Sequence, residues 1–231
     1  SIINPSYSIN PDITDEKGIT TDIGVRGNIN KKISYEFTAF NLLYNDRIGF
    51  IQKEFNDGSI KSERGNVGDA SIYGIESIID FDLNNLLINN QNMSLNYFIN
   101  TGIIDSKYTR SKENGVVGKK VEFVPNVNIK TGIKYGIKNF LSNIQLTYLS
   151  SQYTDSSNAT KGNMSGVIGE IPEYLLLDIS FSFKYNKVKA ETGINNLLDQ
   201  EYFTRRATGY PGPGIITSPP RNIYFTLEIR I

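Results

Sequence analysis

Long stretches in which every second residue is apolar are the feature that most restricts what this chain can fold into. In residues 173–185 the apolar positions run from Leu175 to Tyr185, with mostly polar residues between them. Residues 126–137 and 222–231 follow the same rule. Because successive side chains of a strand point to opposite faces, this period predicts β-strands. No helix is predicted.

The predicted strands are long. Several have 11 residues or more, whereas strands of soluble proteins most often have about 5–6 and membrane-spanning strands need about 9–11. No apolar run approaches the roughly 20 residues of a transmembrane helix. The nine predicted strands are residues 18–29, 33–45, 70–83, 93–105, 123–137, 142–154, 173–186, 188–198 and 221–231.

The connections between these strands alternate in length. Short turns are predicted at 30–32, 84–92, 138–141 and 186–187. Long polar loops are predicted at 46–69, 106–122, 155–172 and 199–220. Short turns at one end and long loops at the other are typical of outer-membrane barrels. A soluble meander has no reason to sort its loops in this way.

Charged residues within the predicted strands also sort by face. Within the strand cores none of them lies on the apolar face, which would meet lipid, where a midplane Arg or Lys costs about 2–4 kcal/mol. A soluble antiparallel sheet with one wet face is the alternative, but strand length and loop sorting favour the barrel. Tyrosines at strand ends fit an aromatic girdle, or ordinary cross-strand packing: Tyr44, Tyr108, Tyr135, Tyr153 and Tyr185. The charged residues are Asp22, Arg26, Glu36, Glu76, Asp80, Asp82, Lys130, Lys134, Asp178, Lys184, Lys189, Glu191, Glu228 and Arg230.

Composition excludes several functions. The chain has no Cys and no His, so a thiolate or imidazole zinc site, a disulfide framework and a His-based catalytic triad are excluded. Lys and Arg number 24 and so do Asp and Glu, which argues against nucleic-acid binding. No metal site and no cofactor are predicted. The N-terminus lacks the features of a signal peptide, and a mature domain or a fragment is expected.

Particular residues resemble a known family. The stretch Asn195–Phe203, reading NNLLDQEYF, resembles the segment before the final strand of TonB-dependent outer-membrane receptors. The residues after it, 204–215, are similar to the loop of the ferric-citrate transporter branch, and 221–227 to the terminal strand. Residues 10–27, and Val124 with Pro125, resemble the starts of earlier strands.

This resemblance implies an all-β, antiparallel transmembrane barrel in a bacterial outer membrane. Family barrels have 22 strands, so residues 1–231 would be a C-terminal portion of about nine strands, with the plug domain absent from the chain. The family usually ends in an aromatic residue, whereas this chain ends in Ile231.

The function implied is active import of a ferric chelate, either ferric citrate or another siderophore. TonB would supply the energy through the missing N-terminal part, and the other partner would be outer-membrane lipid. A passive porin is the alternative, and an outer-membrane enzyme and a soluble β-sandwich are further alternatives.

The candidate ligand-binding residues lie in the last predicted loop. Arg205 and Arg206 could bind carboxylates of an anionic chelate in bidentate fashion, and Tyr202 and Tyr210 could shape the pocket. The alternative is that both arginines pair with carboxylates of the wall and hold the loop. The carboxylates Glu76, Asp80 and Asp82 share a face, but we interpret them as lumen-lining residues rather than a metal site.

Overall fold

The computed structural model describes residues 7–54, 60–164, 166–207 and 213–230, and these are mostly β-strand. The part described holds no helix long and apolar enough to cross a membrane. A single π-helical turn, Asn84–Ile88, interrupts the strands. The strands are β1 (Tyr7–Ile9), β2 (Lys17–Ile29), β3 (Ile33–Glu54), β4 (Ile60–Asp82), β5 (Met93–Arg110), β6 (Val127–Ile137), β7 (Phe140–Leu149), β8 (Tyr174–Tyr185), β9 (Val188–Asn195), β10 (Phe203–Ala207), β11 (Gly214–Thr217) and β12 (Asn222–Ile229).

Nine of these strands form one antiparallel sheet, in the order β12-β9-β8-β7-β6-β5-β4-β3-β2. These are the nine long strands predicted from the sequence, and the all-β antiparallel prediction is confirmed. Each strand pairs with its neighbour in the sequence, except that the hairpin β10–β11 lies between β9 and β12. Within the described residues, β2 and β12 are the two edges of the sheet.

Strand register separates an apolar face from a polar one. One continuous row across all nine strands is apolar: Ile29, Ile33, Phe81, Tyr97, Ile133, Ile144, Ile179, Ile194 and Ile223. The row one residue away, on the opposite face, is Asp82, Asn96, Lys134, Asn143, Ser180, Gly193 and Tyr224. The predicted sorting of charge by face is therefore confirmed.

The sheet curves so that its polar face is concave. One cavity of about 610 Å³ is lined by residues from seven strands, β4 to β9 and β12, among them Asp80, Lys130, Lys134 and Glu191. Large apolar side chains such as Ile23 and Phe225, 77% and 70% exposed, lie on the other face. In water such exposure would be costly, since removing apolar surface from water is worth about 25 cal/mol per Å². This face is therefore suited to lipid.

The short turns end the strands tightly because their residues tolerate the left-handed backbone region. Asn30 and Lys31 both have positive φ (52° and 58°), as the two-residue turns that match strand twist require, and Lys138 and Asn186 do the same at two further turns. At the fourth turn, the side chain of Asn84 bonds the backbone of residues 90 and 93. The predicted short-turn end of the sheet is confirmed.

At the opposite end, the prediction of long loops was partly wrong. Residues 46–69 are largely strand, because β3 continues to Glu54 and β4 begins at Ile60. β5 extends to Arg110, and the predicted loop 199–220 contains β10 and β11. Strands above the lipid need no continuous apolar face, so the period-two signal that marks a strand is weak there. The short parallel strand β1, which pairs with Ser62–Arg64 of β4, was missed for the same reason.

We use the term cap for the described residues 46–54, 60–69, 106–126, 150–164, 166–173, 196–207 and 213–221, which lie at this end. The cap has a small core of its own, formed by Ile51, Val67, Ala70, Tyr108, Val116 and Val121. Tyr108 is fully buried there and Tyr44 packs against this core, so these two tyrosines serve in packing, the second of the two interpretations, and not in an aromatic girdle. The core holds the long connections together at one end of the wall, the term used here for residues 17–45, 70–105, 127–149, 174–195 and 222–229.

Candidate functional site

Arg205 and Arg206 lie in the cap on strand β10. This strand pairs with β11, with Arg205 opposite Ile216 and Arg206 opposite Ile215. The irregular register between Phe203 and Arg205 marks a bulge, and bulges re-aim side chains. The hairpin therefore presents two adjacent guanidinium groups to the other connections of the cap.

Arg206 directs its donors to the backbone of the β7–β8 connection. Its Nη1 donates to the Gly166 carbonyl (2.9 Å) and its Nη2 and Nε to the Glu170 carbonyl (2.8 and 3.3 Å). Its guanidinium also lies 5.0 Å from the Phe203 ring centre, and burial lowers the pKa of Arg206. Carbonyls satisfy these donors without neutralising the charge, so the site keeps a positive field.

Arg205 is exposed, and its guanidinium has no hydrogen bond or ion pair to any residue that the structure describes. It lines a pocket of about 240 Å³. Its charge is therefore available to a ligand.

The four long connections of the cap all contribute to this pocket. Its lining residues are Phe50 and Ser62 from the β3–β4 hairpin, Phe123 from the β5–β6 connection, Thr154, Val167 and Ile168 from the β7–β8 connection, and Arg205 and Arg206 from β10. Convergence of loops onto one concave site is usual where binding residues are carried by a rigid scaffold.

Two of these lining residues have features that the sequence did not reveal. Ser62 is 3% exposed, and its Oγ has no hydrogen-bond partner within the described ranges. Phe123 has a φ of 60° and is 46% exposed, and bulky residues rarely adopt this backbone region. Neither feature has a sequence signal, because both depend on contacts between distant segments.

A buried polar group fixes the residue before Phe123. Glu122 is 2% exposed. Its Oε2 accepts the Tyr108 hydroxyl (2.6 Å), and that hydroxyl accepts a hydrogen bond from Arg47 (2.9 Å). Arg47 Nη1 lies 2.9 Å from Glu122 Oε1, but outside hydrogen-bond geometry. Gly49 leaves the space for this carboxylate, because a Cβ there would collide with it.

The charges in this group shift two pKa values. Burial, reinforced by the Glu122 carboxylate, raises the pKa of Tyr108. Burial alone would lower the pKa of Arg47, but Glu122 and Tyr108 beside it raise the pKa above its ordinary value. The Arg47 guanidinium therefore stays charged and the Tyr108 phenol stays neutral over the ordinary pH range.

The other two predicted ligand residues lie apart from this pocket or outside the described residues. The Tyr202 ring packs on Tyr174 with 4.9 Å between ring centres, and its carbonyl accepts a hydrogen bond from the Ser218 amide. Tyr202 does not line the pocket. Tyr210 lies outside the described residues.

The inward carboxylates belong to the wall. Glu76 and Asp80 line cavities of the polar face, and Asp82 accepts two hydrogen bonds from Asn85 at the turn. Over the described ranges no group of three or more His, Cys, Asp or Glu residues could hold a metal ion.

Comparison with known proteins gives a family match. A family profile described as TonB dependent receptor-like, beta-barrel, matches residues 2–197. Similar solved structures include the unliganded ferric citrate transporter FecA, with 21% identity and a TM-score of 0.75. They also include the ferric yersiniabactin uptake receptor FyuA from Yersinia pestis (17%, 0.68) and the copper transporter OprC (16%, 0.68).

These structures are much longer than this chain. The alignments cover 93%, 93% and 95% of the chain, but only 31%, 30% and 33% of FecA, FyuA and OprC, respectively. At these identities the likeness shows the fold. The three proteins share this fold but transport different substances, namely ferric citrate, ferric yersiniabactin and copper. The fold therefore does not identify a substrate.

Proposed function

The chain belongs to the TonB-dependent receptor β-barrel family of the outer membrane, and from this premise we propose that it forms part of a receptor that imports a ferric chelate. Members of the family are transporters, not enzymes. The matched chain spans about a third of its structural relatives. We propose that residues 1–231 are the C-terminal portion of the barrel.

The observation that carries this proposal is the unneutralised positive charge in the cap. Arg205 has no partner among the described residues, and Arg206 binds only carbonyl oxygens as hydrogen-bond acceptors. Chelates that hold iron through carboxylate or phenolate oxygens are commonly anionic, and guanidinium groups bind such oxygens through paired hydrogen bonds. A pocket with this charge at the mouth of the barrel suits capture of an anionic chelate.

The predicted site residues take different roles in this proposal. Arg205 contacts the ligand directly, while Arg206 adds charge and holds the pocket in shape through Gly166 and Glu170. Tyr202, which packs on Tyr174, and Tyr210 remain candidate ligand residues on the grounds of the sequence alone. Ferric citrate and other siderophores are the candidate substrates, and TonB, acting through a part of the receptor outside this chain, is the energy source.

Uptake of iron by cells that make the full-length receptor tests this function. We expect uptake of at least one radioactive ferric chelate, abolished by a protonophore and by deletion of TonB. Arg205→Ala,Arg206→Ala should reduce this uptake at least ten-fold, whereas Arg221→Ala, which lies in the same cap and pairs with Asp199, should not. Uptake that persists without energy and does not saturate would instead identify a passive porin.

A further inference from the structure

The pocket that Arg205 lines combines aromatic and aliphatic walls with a cation that has no partner among the described residues. We propose that it binds an aromatic ring bearing a negative charge, a carboxylate or phenolate of the chelate, and so selects aryl chelates over compact polycarboxylates. The inference rests on the proposed function, since it specifies the ligand of the same site.

The walls of the pocket are aromatic and aliphatic. Phe50 and Phe123 belong to different connections, and Val167 and Ile168, 6% and 2% exposed, complete the lining. Aromatic rings pack on one another in stacked or edge-to-face arrangements that add to simple area burial. A carboxylate facing these walls would lose its water without replacement hydrogen bonds, which is unfavourable.

The pocket has few polar groups, and they differ in whether they already have a hydrogen-bond partner. Arg205 offers a guanidinium with no partner in the described part of the chain, and the buried Ser62 offers a hydroxyl that is also unpaired there. Thr154 is already committed, since its Oγ1 donates to the Gly169 carbonyl and accepts the Gly169 amide. A ligand with one anionic edge and one apolar face satisfies both unpaired groups.

The size of the pocket also fits one ring. A cavity of about 150 Å³ is sufficient to take benzene in a protein interior, and this pocket has about 240 Å³. Sites that enclose whole drug-sized ligands usually have about 300–1,000 Å³. The pocket therefore holds one substituted ring of a chelate, while the iron centre stays outside it.

The backbone of Phe123 supports a binding role for its ring. Its positive φ is strained for a bulky residue, and the conformation is held by the Phe123 amide, which donates to the Tyr153 carbonyl (2.8 Å), and by the adjacent buried Glu122. Phe123 is 46% exposed and lines the pocket. Backbone strain of this kind is concentrated at ligand sites.

Calorimetry on the purified full-length receptor tests the inference with two probes, iron(III) dihydroxybenzoate and iron(III) citrate. Phe123→Leu keeps an apolar side chain but removes the ring, and should weaken binding of the aryl probe about three- to ten-fold. Ser62→Ala should weaken it about five-fold and Arg205→Gln at least ten-fold. Phe37→Leu on the lipid face and Arg221→Gln are matched controls and should leave it unchanged.

The two probes separate this inference from the proposed function. We expect tighter wild-type binding of the aryl probe, and little effect of Phe123→Leu on citrate. Citrate binding that is tighter than aryl binding, or equal losses for both probes in Phe123→Leu, would overturn the aryl site while leaving a ferric-chelate receptor. If neither these nor other ferric chelates bind the wild-type receptor, the proposed function fails and the aryl site with it. Folded variants are recognised by heat-modifiable migration in gels.

Discussion

The wall and the cap of this molecule are stabilised by different kinds of interaction. In the wall, the ladders from β5 to β9 run without a register shift, and the two faces alternate throughout. In the cap, the register shifts near Arg47 and Asp69, and individual side chains connect distant segments. The regular pattern ends where lipid no longer constrains one face of each strand.

Single polar residues perform in the cap the role that the apolar rows perform in the wall. Asn158 exchanges two hydrogen bonds with the backbone of Lys120, and the side chain of Asn66 makes four with Thr14 and Asp46. A wall residue can be exchanged for another apolar one at little cost. A cap residue that makes directed bonds cannot, so substitutions should affect the two regions differently.

The largest effect is expected when the buried ion pair of the cap is broken. Glu122→Gln leaves Arg47 without its counter-charge, and removing one partner of a buried pair costs about 3–5 kcal/mol. Hydrogen exchange in residues 106–126 should accelerate by at least two orders of magnitude, while exchange in β6 to β9 stays unchanged.

The exposed pair Lys120–Asp105 is the control for this change. Lys120→Ala should cost about 0–1 kcal/mol, because exposed ion pairs contribute little. Similar exchange in the two variants would show that Glu122 is not a stabilising residue of the cap.

A charge on the lipid face tests the wall. Ile179 is in the middle of the apolar row and Ser180 beside it faces the concave cavity. Ile179→Arg should cost about 2–4 kcal/mol, measured as the free energy of unfolding in lipid vesicles, and Ser180→Arg much less. Equal losses in the two variants would contradict the assignment of faces.

Removal of the Arg206 side chain should loosen the β7–β8 connection of the cap as well as remove a positive charge. Arg206→Ala removes three bonds to the Gly166 and Glu170 carbonyls, and bonds from charged donors are worth about 1.5–3 kcal/mol. We expect faster proteolysis within 160–170. Arg206→Lys should recover only part of the protection, because Lys lacks the planar fork, and Arg205→Ala should leave proteolysis unchanged.

The Asn66 side chain should matter only locally. Asn66→Ala removes the bonds that hold Thr14 to the β3–β4 hairpin and should cost about 1–2 kcal/mol, seen as faster exchange of the Thr14 amide that donates to it. Asn195→Ala, which loses a single exposed contact with Asn222, should leave that amide protected. Unchanged exchange of the Thr14 amide in Asn66→Ala would contradict this role of the Asn66 side chain.

The smallest effect is expected from pH. The pKa of Tyr108 is raised in the folded cap, so its contribution is present below the unfolded value of about 10 and is lost as pH rises above it. The stability of the cap, measured by hydrogen exchange, should therefore fall above about pH 10. In Tyr108→Phe this part of the pH dependence should disappear, and its persistence would assign it to another group.

What could be predicted from the sequence follows the same division. The opposite faces on which Ile179 and Lys134 lie could be predicted, because lipid on one side and the lumen on the other impose an alternation of period two on every strand of the wall. The extension of β3 to Glu54, the burial of Tyr108 and the hairpin at Arg205 could not, because these depend on contacts across long separations in the chain. The two arginines were identified through their charge and a family resemblance, but Ser62 and Phe123 have no pattern that would reveal them.

Equilibrium binding of a panel of ferric chelates to the full-length receptor, with Arg205→Ala,Arg206→Ala compared with Arg221→Ala, tests the central claim most directly. The account predicts that the wild type and Arg221→Ala bind at least one chelate with equal affinity, and that the double variant, folded in the membrane, binds it at least ten-fold more weakly. Unaltered affinity in the double variant would contradict the claim that the cap is the ligand site.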